Sequence, residues 1–335
     1  MSAEFAFKLN VHGQRMDTPF ERYIDLVCHA EAAGFCAVYV IDHLLLPSPR
    51  LVGITEADPS RPYFLDGWCT LAALAARTRK IRIGPQVTPI GLRHPVFIAK
   101  WGATIDRISN GRLSLGVGLG HQEVEYVSHG FPYPPFKARF ERMIEGVEII
   151  RRLWTEETPV TYEGKHYTVK DVNFWPKPVQ SPPLFFGGTS PSIRRAVARL
   201  GDGWSPAAPQ LGGFTPAFYK ESLAAIRADA ASQGRTRHIR AGGLFLTAIS
   251  ENRDEIEKTV ALLGQRPDYA GLSLEAINQR GVTMLGNPDQ VCRTLEPYAE
   301  AGVEEFTMSF VPMDDLDAIR RGIDLYAEKV MPRFA

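Results

Sequence analysis

The sequence predicts an α/β fold in which eight parallel strands close into a barrel surrounded by helices, a (β/α)8 TIM barrel with insertions. About eight short apolar runs are typical of strands, and nearly all precede a segment with the apolar spacing of a helix. Several runs end in glycine or polar residues, as strands do where their ends border a site. An open doubly wound sheet with the same alternation is the alternative.

The strands are predicted from short apolar runs flanked by turn residues. The run at 36–41 is apolar almost throughout, which is expected of a parallel strand covered on both faces. A small hairpin is predicted within 160–169, outside the strand–helix alternation. The predicted barrel strands are 5–9, 36–41, 81–88, 113–115, 183–186, 203–205, 240–249 and 305–310.

The helices are predicted from apolar residues spaced three or four apart, together with start and stop signals. Asp66 is placed to cap one helix, and Pro95 suits the first turn of the next because proline needs no N–H there. Gly34 and Asn110-Gly111 end helices because these residues tolerate positive φ. The predicted helices are 20–33, 67–77, 95–109, 137–154, 193–200, 218–231, 253–263, 272–279, 288–301 and 316–330.

The strand at 113–115 runs directly into Gly116, Gly118 and Gly120, where a ligand or another backbone can approach closely. A dinucleotide fingerprint needs a sixth-position glycine that leads into a helix. His121 occupies that position, and no helical pattern is predicted before the prolines at 132–135, so this fold class is disfavoured. The alternative function of these glycines is to relieve packing at the barrel rim.

The composition excludes several classes of protein. Lys+Arg and Asp+Glu balance at 38 each, so the sequence indicates neither a nucleic-acid partner nor an anionic membrane surface. No apolar run is long enough to span a bilayer, and no Cys or His spacing suggests a metal site. The four cysteines lie in apolar segments without C-x-x-C pairing, as buried thiols of a cytoplasmic protein do. Without a linker-like stretch, residues 1–335 are interpreted as one domain.

Candidate site residues stand where the predicted strands end. Gly187, Gly188 and Thr189 precede a helix, an arrangement that offers N–H groups and a dipole to an anion, with Arg194 and Arg195 one turn along; an ordinary capped helix start is the alternative. His43 can exchange protons near neutral pH, although it can equally be a structural histidine. No carboxylate pair and no G-x-S-x-G elbow is present, which favours a reaction that a cofactor carries.

Five segments resemble the bacterial luciferase-like superfamily of flavin monooxygenases and deazaflavin (coenzyme F420) oxidoreductases along nearly the whole chain. They are AEAAGFCAVYVIDHL, TLAALAARTRKIRIGPQVTP, RHPVFIAKWGATIDRISNGRLSLGVGLG, EGKHY with PKPVQSPP, and LFFGGTSPSIRRAVARLGDGW. The details look closer to the deazaflavin branch. The sequence departs from that branch's sugar-phosphate dehydrogenases after the Asp-His pair and near the glycine-rich strand end, so a sugar phosphate is not the expected substrate.

The resemblance implies a homodimeric barrel and assigns roles to the candidate residues. The tricyclic ring would lie against Gln86-Val87, which relatives often join by a non-proline cis peptide bond. His43 would act as acid or base at the reactive edge, and Gly187 to Thr189 would bind the phosphate. The remaining cofactor-binding residues would be Asp42, Thr88, Gly120 and Gln122, with Glu123 also lining the channel.

Three functions remain open from the sequence. The leading hypothesis is an F420-dependent oxidoreductase that transfers hydride to or from a small organic substrate. The second is an FMN-dependent monooxygenase supplied with reduced flavin by a separate reductase. The third is a flavin-binding barrel without turnover. A long loop at 44–65 is expected to shape the substrate pocket, but its residues do not indicate which substrate binds.

Overall fold

A computed structural model describes residues 2–11, 18–44, 65–206 and 214–335. The predicted pocket-forming loop at 44–65 lies outside this part of the chain except for its two end residues. None of the helices in the described ranges is long and apolar enough to cross a membrane.

The predicted (β/α)8 barrel is confirmed. Neighbouring strands in the sheet are parallel in the order β3-β2-β1-β12-β10-β9-β8-β5-β4, and a bridge between Ile83 and Leu113 joins the two ends. Because β3 continues into β4, the barrel wall consists of eight strand positions. The strands are β1 Glu4–Leu9, β2 Ala37–Val40, β3 Arg82–Pro85, β4 Thr88–Pro89, β5 Leu115–Gly118, β6 Val160–Glu163, β7 Thr168–Val172, β8 Leu184–Phe186, β9 Gly203–Trp204, β10 Arg240–Ile249, β11 Thr283–Gly286 and β12 Glu305–Phe310.

The helices cover the outside of the barrel and bury their apolar faces against the strands. Phe5, Phe7 and Leu9 of β1 belong to this outer core, whereas Ala6 packs with residues of β2 on the inner face. The helices are α1 Phe20–Ala32, α2 Gly67–Arg77, α3 Pro95–Ser109, α4 Glu123–Ser128, α5 Phe136–Thr155, α6 Pro191–Leu200, α7 Pro216–Ser232, α8 Arg253–Leu263, α9 Leu274–Gln279, α10 Pro288–Glu300 and α11 Leu316–Leu325.

Most of the predicted helix ends and turns are present in the structure. The Asp66 side chain accepts a hydrogen bond from Cys69 N and caps α2, and Asn110 ends α3 with φ of 58°. The predicted hairpin is β6 and β7, which pair antiparallel. The Gln86–Val87 peptide is cis, as the resemblance implied.

Three sequence predictions were wrong. The short helix α4 occupies 123–128, where no helix was predicted. Only two of its six residues, Glu125 and Tyr126, are buried, so it has no repeating apolar pattern. Strand β11 was missed because it is only four residues long and pairs with the end of β10 outside the barrel order. The four cysteines are free thiols, but Cys69 is exposed and only Cys292 is buried.

An ion cluster closes the N-terminal end of the barrel. Glu305 is 2% exposed, and its carboxylate lies 2.7 Å from Arg82 and 3.2 Å from Arg240, while the Tyr39 hydroxyl donates to it at 2.8 Å. Glu4 contacts the same two arginines. Cys36 completes a set of possible metal-ligand atoms with the two carboxylates. The arginines already neutralise these carboxylates, and burial raises the pKa of the Cys36 thiol well above its ordinary value, so the chemistry disfavours a metal.

We expect Glu305→Gln to lower the free energy of unfolding by about 2–3 kcal/mol, because it leaves two partly buried arginines with one carboxylate between them. Urea denaturation measures the change. Glu251→Gln is the matched control, since Glu251 pairs with Lys329 on the exposed surface and should cost less than about 1 kcal/mol. Equal effects of the two substitutions would show that the cluster does not stabilise the barrel.

Candidate active site

The C-terminal strand ends bring the predicted site segments together, as expected for parallel strands closed into a barrel. Gln86, after β3, donates through Nε2 to Ser205 Oγ at 2.8 Å across the barrel. Val87 lies against the strand ends of β5 and β8, where side chains added at Gly118 and Gly187 would meet its methyl groups at 2.5 and 3.0 Å. These contacts place the glycine-rich segments and the Gln-Val pair in one mouth.

Asp42 lies at the centre of a buried polar network beneath this mouth. It is 1% exposed, and its carboxylate accepts hydrogen bonds from Trp68 Nε1 at 3.1 Å, from Arg93 Nη2 at 2.7 Å and from the Thr88 hydroxyl. Arg93 Nη2 also lies 2.8 Å from Asp66, the cap of α2. Asp42 and Thr88 therefore bind protein groups here, and their direct contact with a cofactor stays a prediction.

His43 follows Asp42 and is oriented by a carboxylate that the sequence did not reveal. Its Nδ1 lies 2.9 Å from Glu125 Oε2, and the side chain of Glu125 is 1% exposed. Glu125 also accepts the N–H of Leu44. Because the carboxylate can only accept a hydrogen bond, it favours a proton on Nδ1, orients the ring and leaves Nε2 as the atom for proton exchange. The His121 ring packs edge-on at 5.8 Å between centroids.

The glycines after β5 make room for neighbouring side chains. Gly120 has φ of +72°, and a Cβ at this position would lie 2.0 Å from the hydroxyl of Tyr126 on α4. Gly118 similarly accommodates Val87. Packing therefore explains both glycines, as the alternative interpretation of the sequence allowed, and a cofactor contact of Gly120 stays a prediction.

The segment before α6 has fewer available N–H groups than the sequence suggested. Gly187 N donates to Val117 O at 3.1 Å, and Ser190 caps the helix. Among the described residues, no partner is found for the N–H groups of Gly188 and Thr189, and Gly188 adopts φ of +100°. Arg194 donates through Nη1 to Ser222, and its Nε has no partner in the described ranges, so a contribution of this arginine to an anion site stays a prediction.

Two predicted cofactor-binding glutamines carry buried oxygen atoms that lack a partner within the described ranges. These atoms are Gln86 Oε1 and Gln122 Oε1. A buried acceptor without a donor is costly, so each oxygen calls for a ligand or water donor. Glu123, which begins α4, is exposed. The two amide oxygens can accept hydrogen bonds and the two N–H groups at 188–189 can donate them, so these residues offer both kinds of partner to a ligand.

Comparison with known proteins identifies the family. The luciferase-like monooxygenase family profile matches residues 4–305. The chain belongs to this luciferase-like family.

The relatives include two enzymes named as F420-dependent and one named as a monooxygenase. An F420-dependent glucose-6-phosphate dehydrogenase from Microbacterium testaceum (strain StLB037) is 32% identical over 308 residues, covering 90% of this chain and 84% of the relative. The structure of an F420-dependent secondary alcohol dehydrogenase in complex with an F420-acetone adduct superposes with TM-score 0.81 at 20% identity over the whole of both chains. A monooxygenase from Streptomyces bottropensis gives TM-score 0.79 at 24% identity over 99% of this chain and all of its own.

This luciferase-like barrel contains site residues that the sequence did not reveal. Trp68, Arg93 and Glu125 come together only through tertiary contacts with Asp42 and His43. Trp68 and Arg93 belong to segments that were interpreted as a helix and a helix start, and Glu125 lies where no element was predicted. Lys8 on β1 is buried although it is charged, and the apolar strand pattern around it gave no sign of this.

We expect Gly120→Ala to destabilise the protein by about 2–4 kcal/mol, since the added methyl overlaps buried Tyr126 and the backbone is left-handed. Gly130→Ala is the matched control, because Gly130 has φ of +77° and a Cβ added there would meet no atom within 4 Å, so only the backbone cost of about 1–2 kcal/mol applies. Thermal and urea unfolding of both variants give the comparison. The packing explanation is wrong if the two losses are equal.

Proposed function

We propose that this chain is an oxidoreductase that binds coenzyme F420 and transfers hydride between it and a small organic substrate. The observation that carries the proposal is the His43–Glu125 pair, with Glu125 buried, beside the unpartnered amide oxygens and N–H groups of the predicted site segments. The F420-dependent name of the relative at 32% identity supports the choice of cofactor. The relative's name also makes glucose 6-phosphate one compound to test, although the sequence departs from sugar-phosphate dehydrogenases at the mouth.

The residues that would hold the cofactor follow from their available atoms. The N–H groups of Gly188 and Thr189 would bind the phosphate at the start of α6. Gln86 and Gln122 would accept ring N–H donors through Oε1, with Val87 supporting the ring and Gly120 at the rim. Asp42 and Thr88 would act by holding this wall in place. When bound, the deazaflavin supplies or accepts the hydride.

His43 would exchange the proton that accompanies hydride transfer. Glu125 holds Nδ1–H, so Nε2 would take a proton from a substrate hydroxyl or return one to a carbonyl.

An FMN-dependent monooxygenase with a separate reductase is the second candidate, supported by the family and by the monooxygenase with a similar fold. Expression in a deazaflavin-producing host, followed by mass spectrometry of the retained cofactor, separates the two. Oxygen uptake instead of hydride transfer would contradict the first.

Three further proposals concern the whole protein. A single domain is supported because one closed sheet includes strands from Glu4 to Phe310. A cytoplasmic location is supported by four unpaired thiols. A homodimer is supported by exposed apolar side chains on α3 and in the nearby segment at 175–179, and sedimentation equilibrium tests it. These side chains are Phe97, Ile108, Trp175 and Val179.

We expect Gly188→Val to raise the dissociation constant for F420 by about tenfold or more, equivalent to ~1.4 kcal/mol, because the side chain crowds the proposed phosphate site. Fluorescence titration measures the affinity. Gly234→Val is the control, since Gly234 also has positive φ, +74°, but lies in open space at the end of α7. If both variants bind like the unmodified protein, the phosphate lies elsewhere.

We expect His43→Asn to lower turnover by ~10²–10⁴-fold, because asparagine cannot exchange a proton near neutral pH. Cofactor affinity should change little. Stopped-flow cofactor reduction with secondary alcohols and glucose 6-phosphate measures the rate, and Glu125→Gln should produce a smaller loss in the same direction. A wild-type rate in His43→Asn would make this histidine purely structural.

A further inference from the structure

Lys8 is a buried lysine on the inner face of the barrel. It alternates with Phe7 and Leu9, which pack in the outer core, and it is paired in register with Tyr39, which lies on the inner face with Ala6. Lys8 is 8% exposed. Its position two residues beyond Ala6 directs it toward the C-terminal half of the barrel, where the strand ends form the mouth.

Among the residues that the structure describes, no ion pair or hydrogen bond of the Lys8 amine is found, and no neighbouring charge acts on it. Glu305, an acidic side chain at the opposite end of the barrel, already pairs with two arginines. Burial lowers the pKa of Lys8 to about 8, with no neighbouring charge to oppose it. A buried ammonium without a partner is costly, so its retention in an otherwise apolar strand calls for a ligand.

A second polar atom on the inner face also lacks a partner. Gln86 is 6% exposed and its Oε1 is unpaired, while its Nε2 donates to Ser205 and, at 3.5 Å, to Thr307 of β12. Strand β12 lies directly beside β1. The inner face at this end therefore presents one unpaired donor, Lys8 Nζ, and one unpaired acceptor, Gln86 Oε1.

We propose that Lys8 binds an electronegative oxygen of the molecule held in the barrel mouth, and that Gln86 Oε1 accepts an N–H or O–H from the same molecule. The chemistry required is a carbonyl or anionic oxygen close to a hydrogen-bond donor. Two sources supply it, the imide edge of the deazaflavin ring and the oxygen of the substrate. The inference depends on the proposed function only for the identity of these two ligands.

Affinity measurements on three variants test the proposal. F420 is titrated into the free protein, and acetate, as a simple oxygen anion, into the free and the F420-loaded protein, both by calorimetry. Lys8→Met should weaken the binding of one of these ligands about tenfold or more, and Lys8→Arg should recover most of that loss. Lys258→Met is the control, because Lys258 is exposed on α8. This variant should bind both ligands with the affinity of the unmodified protein.

The two sources give different results. Weaker F420 binding in Lys8→Met assigns the oxygen to the cofactor, whereas a loss confined to acetate assigns it to the substrate. Unchanged affinity for both ligands in a folded Lys8→Met overturns the proposal, as does a loss that Lys8→Arg fails to recover. If the unmodified protein does not bind F420, the proposed function fails, and the acetate titration of the free protein still decides the role of Lys8.

A spectroscopic measurement tests the charge directly. In protein labelled with ¹³C at lysine Cε, the resonance missing from Lys8→Met should titrate near pH 8 in the free state. Its pKa should rise in the complex, because an oxygen partner favours the protonated amine. A pKa near the ordinary lysine value of ~10.4 in the free protein would contradict the burial on which the proposal rests.

Discussion

The buried carboxylate of Asp42 is the constraint on which the mouth of this barrel depends. An ionised carboxylate removed from water must be paired, and Asp42 obtains its donors from Trp68, Arg93 and Thr88. These donors come from α2, from the residue before the N-cap of α3 and from β4. One carboxylate at the end of β2 therefore connects this strand with β4 and with two helices. His43 is the next residue, and its position is therefore set by the same network.

The neighbouring His43–Glu125 pair shows how a short helix contributes to a site on the barrel. Glu125 belongs to α4, and it is held in place by the packing of Tyr126 against Gly120. Any side chain at 120 would displace the tyrosine and with it the carboxylate that orients the imidazole. Gly120 thus serves the site through packing. The same holds for Gly118 and Gly187, which leave room for Val87 between two strand ends.

The two ends of the barrel treat buried charge differently. At the N-terminal end, Glu305 and Glu4 are matched by Arg82 and Arg240, and the charges are mutually satisfied. Toward the C-terminal end, the oxygens of Gln86 and Gln122 have no partner in the described ranges, and no neighbouring charge acts on Lys8. Polar groups satisfied within the protein stabilise a fold, whereas unsatisfied ones are retained where a ligand completes them. The two ends therefore differ in charge pairing, although Arg240 Nε at the N-terminal end also has no partner in the described ranges.

The sequence by itself determined the strand–helix order, most helix ends and the positions of His43, Gln86 and Gly188, because these depend on local periodicity, turn residues and family motifs. It did not reveal β11, α4 or the partners of Asp42 and His43. Strand β11 is four residues long, and Glu125 and Arg93 lie 82 and 51 positions from the residues they contact, so no local pattern marks them. Only tertiary structure decides which buried polar atoms find partners, since pairing depends on distances between segments far apart in the chain. Lys8 illustrates this limit: the strand pattern placed it in a sheet, and only barrel closure left it without a counter-charge.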